Sequence, residues 1–140
     1  MNLIYKQAED KHKEFIFDEC IKLVKKYESF KFYSLDEIVM FESKKIDKYI
    51  GEYTVVYDND IFVGCFKLTE DEDGYELDDL YIVEELRNKG YGTKILEECI
   101  KNTPLTLYVF KNNKIAYDLY QRYGFEVIED LEDRVKMKRV

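Results

Sequence analysis

The stretch ELDDLYIVEELRNKGYGTKIL, residues 76–96, joins a β-rich run to a helical one. Gly90 and Gly92 lie between the two. A strand that leads through a glycine-rich turn into a helix N-terminus is suited to anions, because unpaired backbone amides and the positive end of the helix dipole meet there. Two glycines also occur in plain turns, so this pattern alone does not establish a site.

The same stretch lacks two well-known phosphate-binding motifs. The dinucleotide pattern G-x-G-x-x-G fails because Ile95 stands where the third glycine belongs. A P-loop fails because no G-K-[S/T] follows at the required spacing. Other features of the chain must therefore decide which anion, if any, the turn binds.

Charge is distributed unevenly around this stretch. Nine carboxylates and no cation lie within residues 70–85, and Arg87, Lys89 and Lys94 follow directly. An anionic segment that runs into a cationic one is suited to an amine beside a polyphosphate. Charge alone favours the alternative, which is a solvated hairpin followed by an ordinary helix start.

The whole chain has 140 residues, of which 46% are apolar and 16% aromatic. This length suits one domain, residues 1–140, and the composition argues against intrinsic disorder. The net charge of −8 argues against nonspecific binding to nucleic acid. No apolar run approaches the roughly 20 residues of a membrane helix, and residues 1–10 lack an apolar signal region. We therefore expect no membrane and no nucleic-acid partner.

Three cysteines and one histidine limit the chemistry. Cys20, Cys65 and Cys99 are odd in number and far apart, which argues against a disulfide framework or a CxxC metal site. The single histidine, His12, argues against a histidine triad or a zinc centre, and we predict it at the surface. The expectation is a reduced, soluble, cytoplasmic protein with no metal, its cysteines in the core and no covalent acyl-cysteine step.

Hydrophobic periodicity and turn signals predict the element order β-α-α-β-β-β-α-β-α-β-β. Residues 34–37, SLDE, have the capping-box pattern and begin the second helix. Residues 53–57 and 61–66 form a hairpin, and Gly124 is placed to end the last helix in the left-handed conformation. Helices that interleave with hairpins predict a mixed sheet in an α/β (α+β) fold.

Two motifs on this frame resemble those of the GNAT superfamily of acyl-CoA-dependent N-acetyltransferases. Arg87, Gly90 and Gly92 match the family's R/Q-x-x-G-x-G/A segment, which follows a strand of the form E-L-x-x-L-Y-V. Residues 113–125, NKIAYDLYQRYGF, match the second motif, N-x-x-A-x-x-L-Y-x-x-x-G-F, at all six marked positions. Glu84 lies where the family often has a proline. The two motifs together cover about residues 75–128.

The resemblance implies a GNAT-like mixed, mostly antiparallel central sheet of about seven strands, flanked by about four helices, in a single domain. It implies transfer of an acetyl group from acetyl-CoA to a primary amine, by direct attack in a ternary complex. The acceptor stays open between a small polyamine-like or amino-acid metabolite and an amine of a protein, and a homodimer stays open too. The alternative is a non-catalytic acyl-CoA-binding sensor or partner-binding module of the same fold.

The resemblance also implies which residues hold the cofactor. The pantetheine arm would bind where strands 75–83 and 105–110 separate, and a backbone amide near Ile82 or Val83 would face the thioester oxygen. Asn113 is predicted to cap a helix first and to contact the cofactor second. The pyrophosphate would bind the backbone amides of one turn, aided by the charge of Arg87 or Lys89: Asn88, Lys89, Gly90, Tyr91, Gly92 and Thr93.

Tyr120 and Glu76 are the predicted catalytic residues. Tyr120 matches the family tyrosine that protonates the departing thiolate; the alternative is that its ring only packs beside its helix neighbours. Glu76 aligns with a strand glutamate that deprotonates the amine, with Asp78 as second choice and ordered water or a solvated acidic edge as alternatives. Strand alternation places Glu76 and Asp78 on one face with Leu80 and Ile82, and Asp79 on the other. Acceptor-binding residues are expected around residues 30–49, where no motif is recognisable.

Overall fold

The computed structural model of the protein describes residues 1–140 and confirms the predicted order of seven strands and four α-helices. A turn of 3₁₀-helix precedes the first helix and follows the second. The elements are β1 (Leu3–Gln7), α1 (Lys13–Tyr27), α2 (Leu35–Tyr49), β2 (Tyr53–Asp58), β3 (Ile61–Asp71), β4 (Gly74–Ile82), α3 (Tyr91–Cys99), β5 (Leu105–Phe110), α4 (Lys114–Arg122), β6 (Glu126–Asp130) and β7 (Arg134–Arg139).

The strands form one sheet in the order β1-β2-β3-β4-β5-β7-β6. Every neighbouring pair is antiparallel except β4 and β5, which are parallel. That pair is joined only where Tyr75 lies opposite Leu105 and Glu76 opposite Thr106. Beyond this point β4 and β5 do not pair with each other, so the sheet opens into a wedge between them. The predicted mixed, mostly antiparallel sheet is confirmed.

Two helix pairs cover the two faces of the sheet. On one face α1 and α2 enclose a small core that includes Ile16, Ile46 and Tyr53. On the other face α3 and α4 enclose the larger core, and burial of its apolar surface from water is the main force that holds the sheet and helices together. The fully enclosed members of that larger core include Val63, Ile95, Leu96, Leu105 and Met137.

The predicted helix ends are present. The Ser34 hydroxyl accepts from the Glu37 amide at 3.2 Å while the Glu37 carboxylate accepts from the Ser34 amide at 3.0 Å, which completes the capping box. Gly124 follows α4 with a φ of 87°, the left-handed conformation that glycine adopts without steric cost. Local sequence chemistry therefore sets where these two helices begin and end.

One residue in β4 overturns the predicted alternation. Asp79 has a φ of 52°, and three steps along β4, from Asp78 to Tyr81, face two steps along β3, from Lys67 to Cys65. Such a bulge inserts an unpaired residue and exchanges the faces beyond it. Leu77 before the bulge and Leu80 and Ile82 after it all pack against the core under α3 and α4, whereas Tyr81 packs against the α1–α2 side. The prediction that Glu76, Asp78, Leu80 and Ile82 share one face is therefore wrong beyond Asp78.

His12 does not lie at the surface, so that prediction is also wrong. Its ring is buried and stacks on Phe62 with the centroids 5.7 Å apart. Nδ1 accepts from the Glu9 amide at 2.9 Å, and Nε2 lies 3.1 Å from the Tyr57 hydroxyl. The histidine thus closes the turn before α1, and burial together with the nearby Lys11 lowers its pKa.

Two further expectations concern the cysteines and membranes. All three cysteines are buried and unpaired, as predicted. Among the four helices, none has both the length and the apolar character that crossing a bilayer requires.

Candidate active site

A cavity of about 240 Å³ occupies the wedge between β4 and β5. It is lined from the strands themselves and from α1, α2 and α4. Tyr120 and Asn113 line it on the α4 side, and Asp78 and Asp79 line it on the side of α1 and α2. A concave site that combines apolar walls with a few convergent polar groups is the usual form of a small-molecule site.

A row of free backbone amides lies just past the open end of β4. None of the amides of residues 88–93 donates to a backbone acceptor, and the first one that does is that of Lys94, which bonds the Gly90 carbonyl at 3.1 Å. Gly90 holds the N-cap of α3 with a φ of 89°. A Cβ added at Gly92 would meet only the Ile82 Cγ1 at 3.9 Å, so the space beside this residue is open. This arrangement fits an anionic group.

Arg87 is committed within the protein. Its Nη2 lies 2.5 Å from the Oε1 of Glu19, a buried side chain of α1, and its Nε donates to the Ile82 carbonyl at 3.1 Å. The guanidinium therefore ties the turn to α1 and closes the end of β4. Lys89, the other predicted cation, is exposed on the turn and forms no ion pair within the protein.

The two predicted oxyanion donors differ in their availability. The amide of Val83 donates to the Val63 carbonyl at 2.8 Å, so β3 already occupies it. Successive amides of an antiparallel strand point to opposite sides, so the amide of Ile82 points away from β3 and toward the wedge, where β5 does not pair with it. Ile82 is therefore the free donor of the two.

Tyr120 and Asn113 come together in the cavity. The Asn113 side chain caps α4 by accepting from the Ala116 amide at 3.4 Å, as predicted. The Tyr120 ring packs edge-on against Phe125 with the centroids 5.7 Å apart. Burial, with a smaller effect of Cys99, raises the pKa of Tyr120 to about 12, so its phenol stays protonated at neutral pH. Tyr120 therefore packs against Phe125, and its hydroxyl carries a proton at neutral pH.

The opposite wall of the cavity carries a cluster of charges around Lys45. Its Nζ lies 3.2 Å from Asp78, 3.1 Å from Asp79 and 3.1 Å from Glu42. Burial alone would lower the pKa of Lys45, but the carboxylates of Asp79, Asp78 and Glu42 outweigh it and raise the pKa. Lys45 is therefore a charged ammonium that holds three carboxylates together.

Asp78 and Asp79 differ within this cluster. Burial first, and the neighbouring Asp79 second, raise the pKa of Asp78 to about 6. Asp79 accepts from the hydroxyls of Tyr53 and Tyr81, the latter at 2.8 Å. Its left-handed conformation brings it to the same ammonium as Asp78, so the two carboxylates do not point apart as strand alternation predicts.

Glu76 lies at the closed end of the wedge, opposite Thr69 on β3 and Thr106 on β5, outside the lining of the cavity. The structure therefore does not bring it together with Tyr120. Glu42 and Lys45, which no sequence motif marks as site residues, lie beside Asp78 in the cavity wall. Their spacing of three residues on a predicted helix indicates an ion pair, but no local signal indicates which strand that pair faces.

The cysteines and the acidic residues suggest neither a nucleophile nor a metal centre. Burial raises the pKa of the thiols of Cys20, Cys65 and Cys99, the last to about 12, so all three stay protonated. No three His, Cys, Asp or Glu side chains are grouped so that they could hold a metal ion.

The sheet is mixed and opens at its one parallel strand pair, beside a helix that begins with free amides, which is the arrangement that the resemblance implies. A family model described as an acetyltransferase (GNAT) domain matches residues 50–127, more than half of the chain. The chain therefore belongs to the GNAT acetyltransferase family, and the resemblance stated from the sequence is confirmed.

Solved structures share the fold. The PaiA N-acetyltransferase from Thermoplasma acidophilum, in complex with coenzyme A, is 18% identical with a TM-score of 0.76, over 99% of each chain. A chimera of the spermidine N-acetyltransferase SpeG from Vibrio cholerae and hSSAT is 19% identical with a TM-score of 0.70, over 100% of this chain and 96% of that one. The ribosomal-protein-S18-alanine N-acetyltransferase from Escherichia coli is 16% identical with a TM-score of 0.65, over 98% and 92%. No curated protein sequence matches the chain.

Proposed function

We propose that the protein transfers an acetyl group from acetyl-CoA to a primary amine, by direct attack while both are bound. The observation that carries this proposal is the position of two features at one wedge in the sheet. Free amides of residues 88–93 follow the open end of β4, and the protonated Tyr120 lines the cavity beside it. The proposed setting is the cytoplasm, in line with three unpaired cysteines.

The chain's own groups divide the binding of acetyl-CoA between them. That molecule supplies an activated acetyl thioester when bound. The amides of residues 88–93, with Lys89, would hold its pyrophosphate, because backbone N–H groups at a helix start bind phosphate oxygens. The amide of Ile82 would donate to the thioester oxygen as negative charge develops on it. Asn113 would contact the cofactor from the far wall of the wedge.

Tyr120 would act as the general acid. A thiol has an ordinary pKa near 8.5, whereas that of Tyr120 is about 12. The phenol therefore keeps its proton at neutral pH and can donate it to a thiolate that contacts the hydroxyl. Transfer of this proton is unfavourable in equilibrium terms, so it requires direct contact and the subsequent loss of a proton from the acetylated nitrogen.

A carboxylate near the acceptor nitrogen would take up the first proton. Asp78 is supported by its place in the cavity wall and by a pKa of about 6, which is closer to neutrality than that of an ordinary aspartate. Glu76 stays a prediction for this role. In the balanced reaction the N–C bond forms and the C–S bond breaks. The ammonium loses two protons: one restores Tyr120 after it protonates the sulfur, and the other passes through Asp78 to water.

Direct attack is supported by the state of the cysteines. A covalent acyl-cysteine step needs a thiolate, and burial keeps the three thiols protonated. The amine would therefore attack the thioester itself. This order requires both substrates to be bound before the acetyl group moves.

Calorimetry and a thiol-release assay test the proposal together. We expect acetyl-CoA to bind and thiol release to depend on an added primary amine, with the acetylated amine identified by its mass. A matched reaction with the corresponding tertiary amine should release no thiol. Tight binding without release for any amine would favour the alternative, a non-catalytic acyl-CoA sensor. Absence of binding would contradict both.

A further inference from the structure

The guanidinium of Arg87 contacts two acceptors along one edge. Its Nε donates to the Ile82 carbonyl at 3.1 Å, and its Nη2 donates to the Oε1 of Glu19 at 2.5 Å. These nitrogens belong to one planar, rigid fork, so the carbonyl and the carboxylate that they contact are held at a fixed separation. Arg87 therefore connects the last residue of β4 directly to α1.

Glu19 anchors this connection because it lies inside the protein. Its side chain is only 5% exposed, and its second oxygen, Oε2, lies 3.1 Å from the Lys22 Nζ. Removing a cation from a buried carboxylate leaves its charge incompletely compensated, which is costly. Lys22 belongs to α1 itself, so of the two cations only Arg87 links Glu19 to β4.

The end of β4 is also held from the side of β3. The Val83 amide donates to the Val63 carbonyl at 2.8 Å. Gly64 lies opposite Ile82, and a Cβ added there would overlap the Tyr81 carbonyl oxygen and lie 3.1 Å from the Ile82 Cα. The two strands approach this closely because position 64 has no side chain. Since the Tyr81 carbonyl and the Ile82 amide form one peptide group, β3 limits how that group can turn.

From these contacts we infer that Arg87 and Glu19 are positioning residues for acetyl transfer and not ligands of the pyrophosphate. They hold the carbonyl of Ile82 while β3 holds the peptide group before it, so the Ile82 amide stays directed into the wedge. This inference rests on the proposed transfer, in which that amide stabilises the charge on the thioester oxygen. Alignment matters there, since a misplacement of about 1 Å can lower a rate about 100-fold.

A cation that served the pyrophosphate would have different requirements. Its charge would matter more than its shape, so a lysine could replace it. Lys89 meets this description, because it is exposed on the turn and forms no ion pair within the protein. Arg87 instead uses both nitrogens of one edge on groups of the protein itself.

Arg87→Lys separates the two roles, because it keeps the charge and removes the fork. A single ammonium cannot donate along both of the directions that Nε and Nη2 use. We expect thiol release at saturating acetyl-CoA to slow about tenfold, while the calorimetric affinity for coenzyme A stays within about twofold. Hydroxylamine is the acceptor, because so small a nucleophile needs no shaped acceptor site.

Lys89→Met is the comparison variant and should give the reverse pattern. Loss of an exposed cation beside the pyrophosphate should weaken the affinity for coenzyme A about fivefold and leave the saturated rate unchanged. An unchanged rate in Arg87→Lys would overturn the inference. So would an affinity that falls along with the rate in that variant.

A double-mutant cycle tests whether Arg87 acts through Glu19. Arg87→Met and Glu19→Met should each slow the saturated reaction about tenfold, and the double variant should be no slower than Glu19→Met, because both changes break one connection. The double variant removes the whole buried pair, so we expect it to fold even if Arg87→Met does not. Lys22→Met, which removes the other cation of Glu19, is the matched control and should keep the full rate. Losses that multiply in the double variant would overturn the connection.

The amide resonance of Ile82 provides a readout that does not depend on turnover. In protein with isotope-labelled isoleucine, assigned with Ile82→Val, the difference in chemical shift between the acetyl-CoA and coenzyme A complexes reports contact with the thioester oxygen. We expect this difference in the parent protein and its loss in Arg87→Lys. Its absence from the parent, or an equal difference in both proteins, would overturn the inference. A parent protein that shows the difference but releases no thiol with any amine would overturn the transfer reaction and leave the positioning of Ile82 supported.

Discussion

The two sides of the wedge present different kinds of chemical group. On the side of α3 and α4, the groups offered to the cofactor are mainly backbone amides: those of residues 88–93 and that of Ile82. On the side of α1 and α2, the groups offered to the acceptor are charged side chains held around Lys45. The first side would bind the cofactor through backbone amides. The second would bind the acceptor through side chains from elements that are distant in the sequence.

This difference explains why one side depends on few residue types and the other on many. Backbone amides are present whatever the side chain, provided that the turn has the correct shape and nothing blocks it. Glycine at positions 90 and 92 meets both conditions. The charged side instead depends on the identity of each side chain, so a single substitution changes its net charge.

The largest effect is expected for Tyr120→Phe. Loss of the phenolic proton removes the general acid, so the rate of thiol release should fall about 100-fold or more while the affinity for acetyl-CoA stays the same. Tyr123→Phe is the matched control, since this half-buried tyrosine directly after α4 lies outside the cavity and bonds Glu97 instead. An unchanged rate in Tyr120→Phe would reduce Tyr120 to its packing contact with Phe125.

A smaller effect is expected for Gly92→Val. The added side chain would fill the space in front of the amides, so calorimetry should show affinity for acetyl-CoA about tenfold weaker. The fold should tolerate it, because the nearest atom to the Cβ is 3.9 Å away and glycine is a poor helix former. Gly92→Ala should be at least as stable as the parent protein, because alanine is a better helix former, and its affinity for acetyl-CoA should lie between those of the parent and the valine variant. Full affinity in the valine variant would contradict binding by the amides.

For stability, we expect only a small effect of Asp78→Asn, on the charged side, in addition to the slower transfer that loss of the proposed proton acceptor would cause. Because the pKa of Asp78 is raised to about 6 from an ordinary 3.8, its carboxylate costs stability above pH 6 and costs none below pH 3.8. Its side chain is 41% exposed, so we expect a gain of only about 1 kcal/mol in the free energy of unfolding at pH 7.

The pH dependence provides the check on that prediction. Urea unfolding of Asp78→Asn and of the parent protein should differ most at pH 7 and converge as the pH falls below 3.8, where Asp78 becomes protonated in both the folded and the unfolded state. Asp60→Asn, in the exposed turn between β2 and β3, should show no such convergence. A difference that stays constant with pH would show that the charge of Asp78 is not its cause.

Much of the fold follows from local patterns. The helix caps at Ser34 and Gly124 and the strand–turn–helix around Gly90 depend on neighbouring residues alone, so the sequence predicts them. The bulge at Asp79 is different. Aspartate adopts the left-handed conformation more often than most residues, but its presence does not indicate which strand position carries a bulge, so the alternation rule assigns the wrong face to every residue of β4 that follows.

The same limit applies to the candidate site. The spacing of Gly90, Gly92 and Tyr120 indicates the cofactor side, because local structure and one strand pair determine it. Glu42 faces Asp78 only because α2 docks across the sheet, and that docking depends on contacts throughout the α1–α2 core. Arg87 shows the limit most directly. Its sequence position suggests a phosphate ligand, but tertiary contact with the buried Glu19 holds it within the protein.

Because β4 contains one extra residue at the bulge, deletion of a residue there would have a large effect on the sheet. Deleting Asp79 would turn the remainder of the strand over, so that the amide of Ile82 would face β3 and the side chains of Leu80 and Ile82 would leave their core. No substitution elsewhere restores a lost half-turn of backbone. Substitutions around Lys45 therefore leave the course of β4 unchanged, whereas the residue count between Asp78 and Tyr81 decides which face Leu80 and Ile82 occupy.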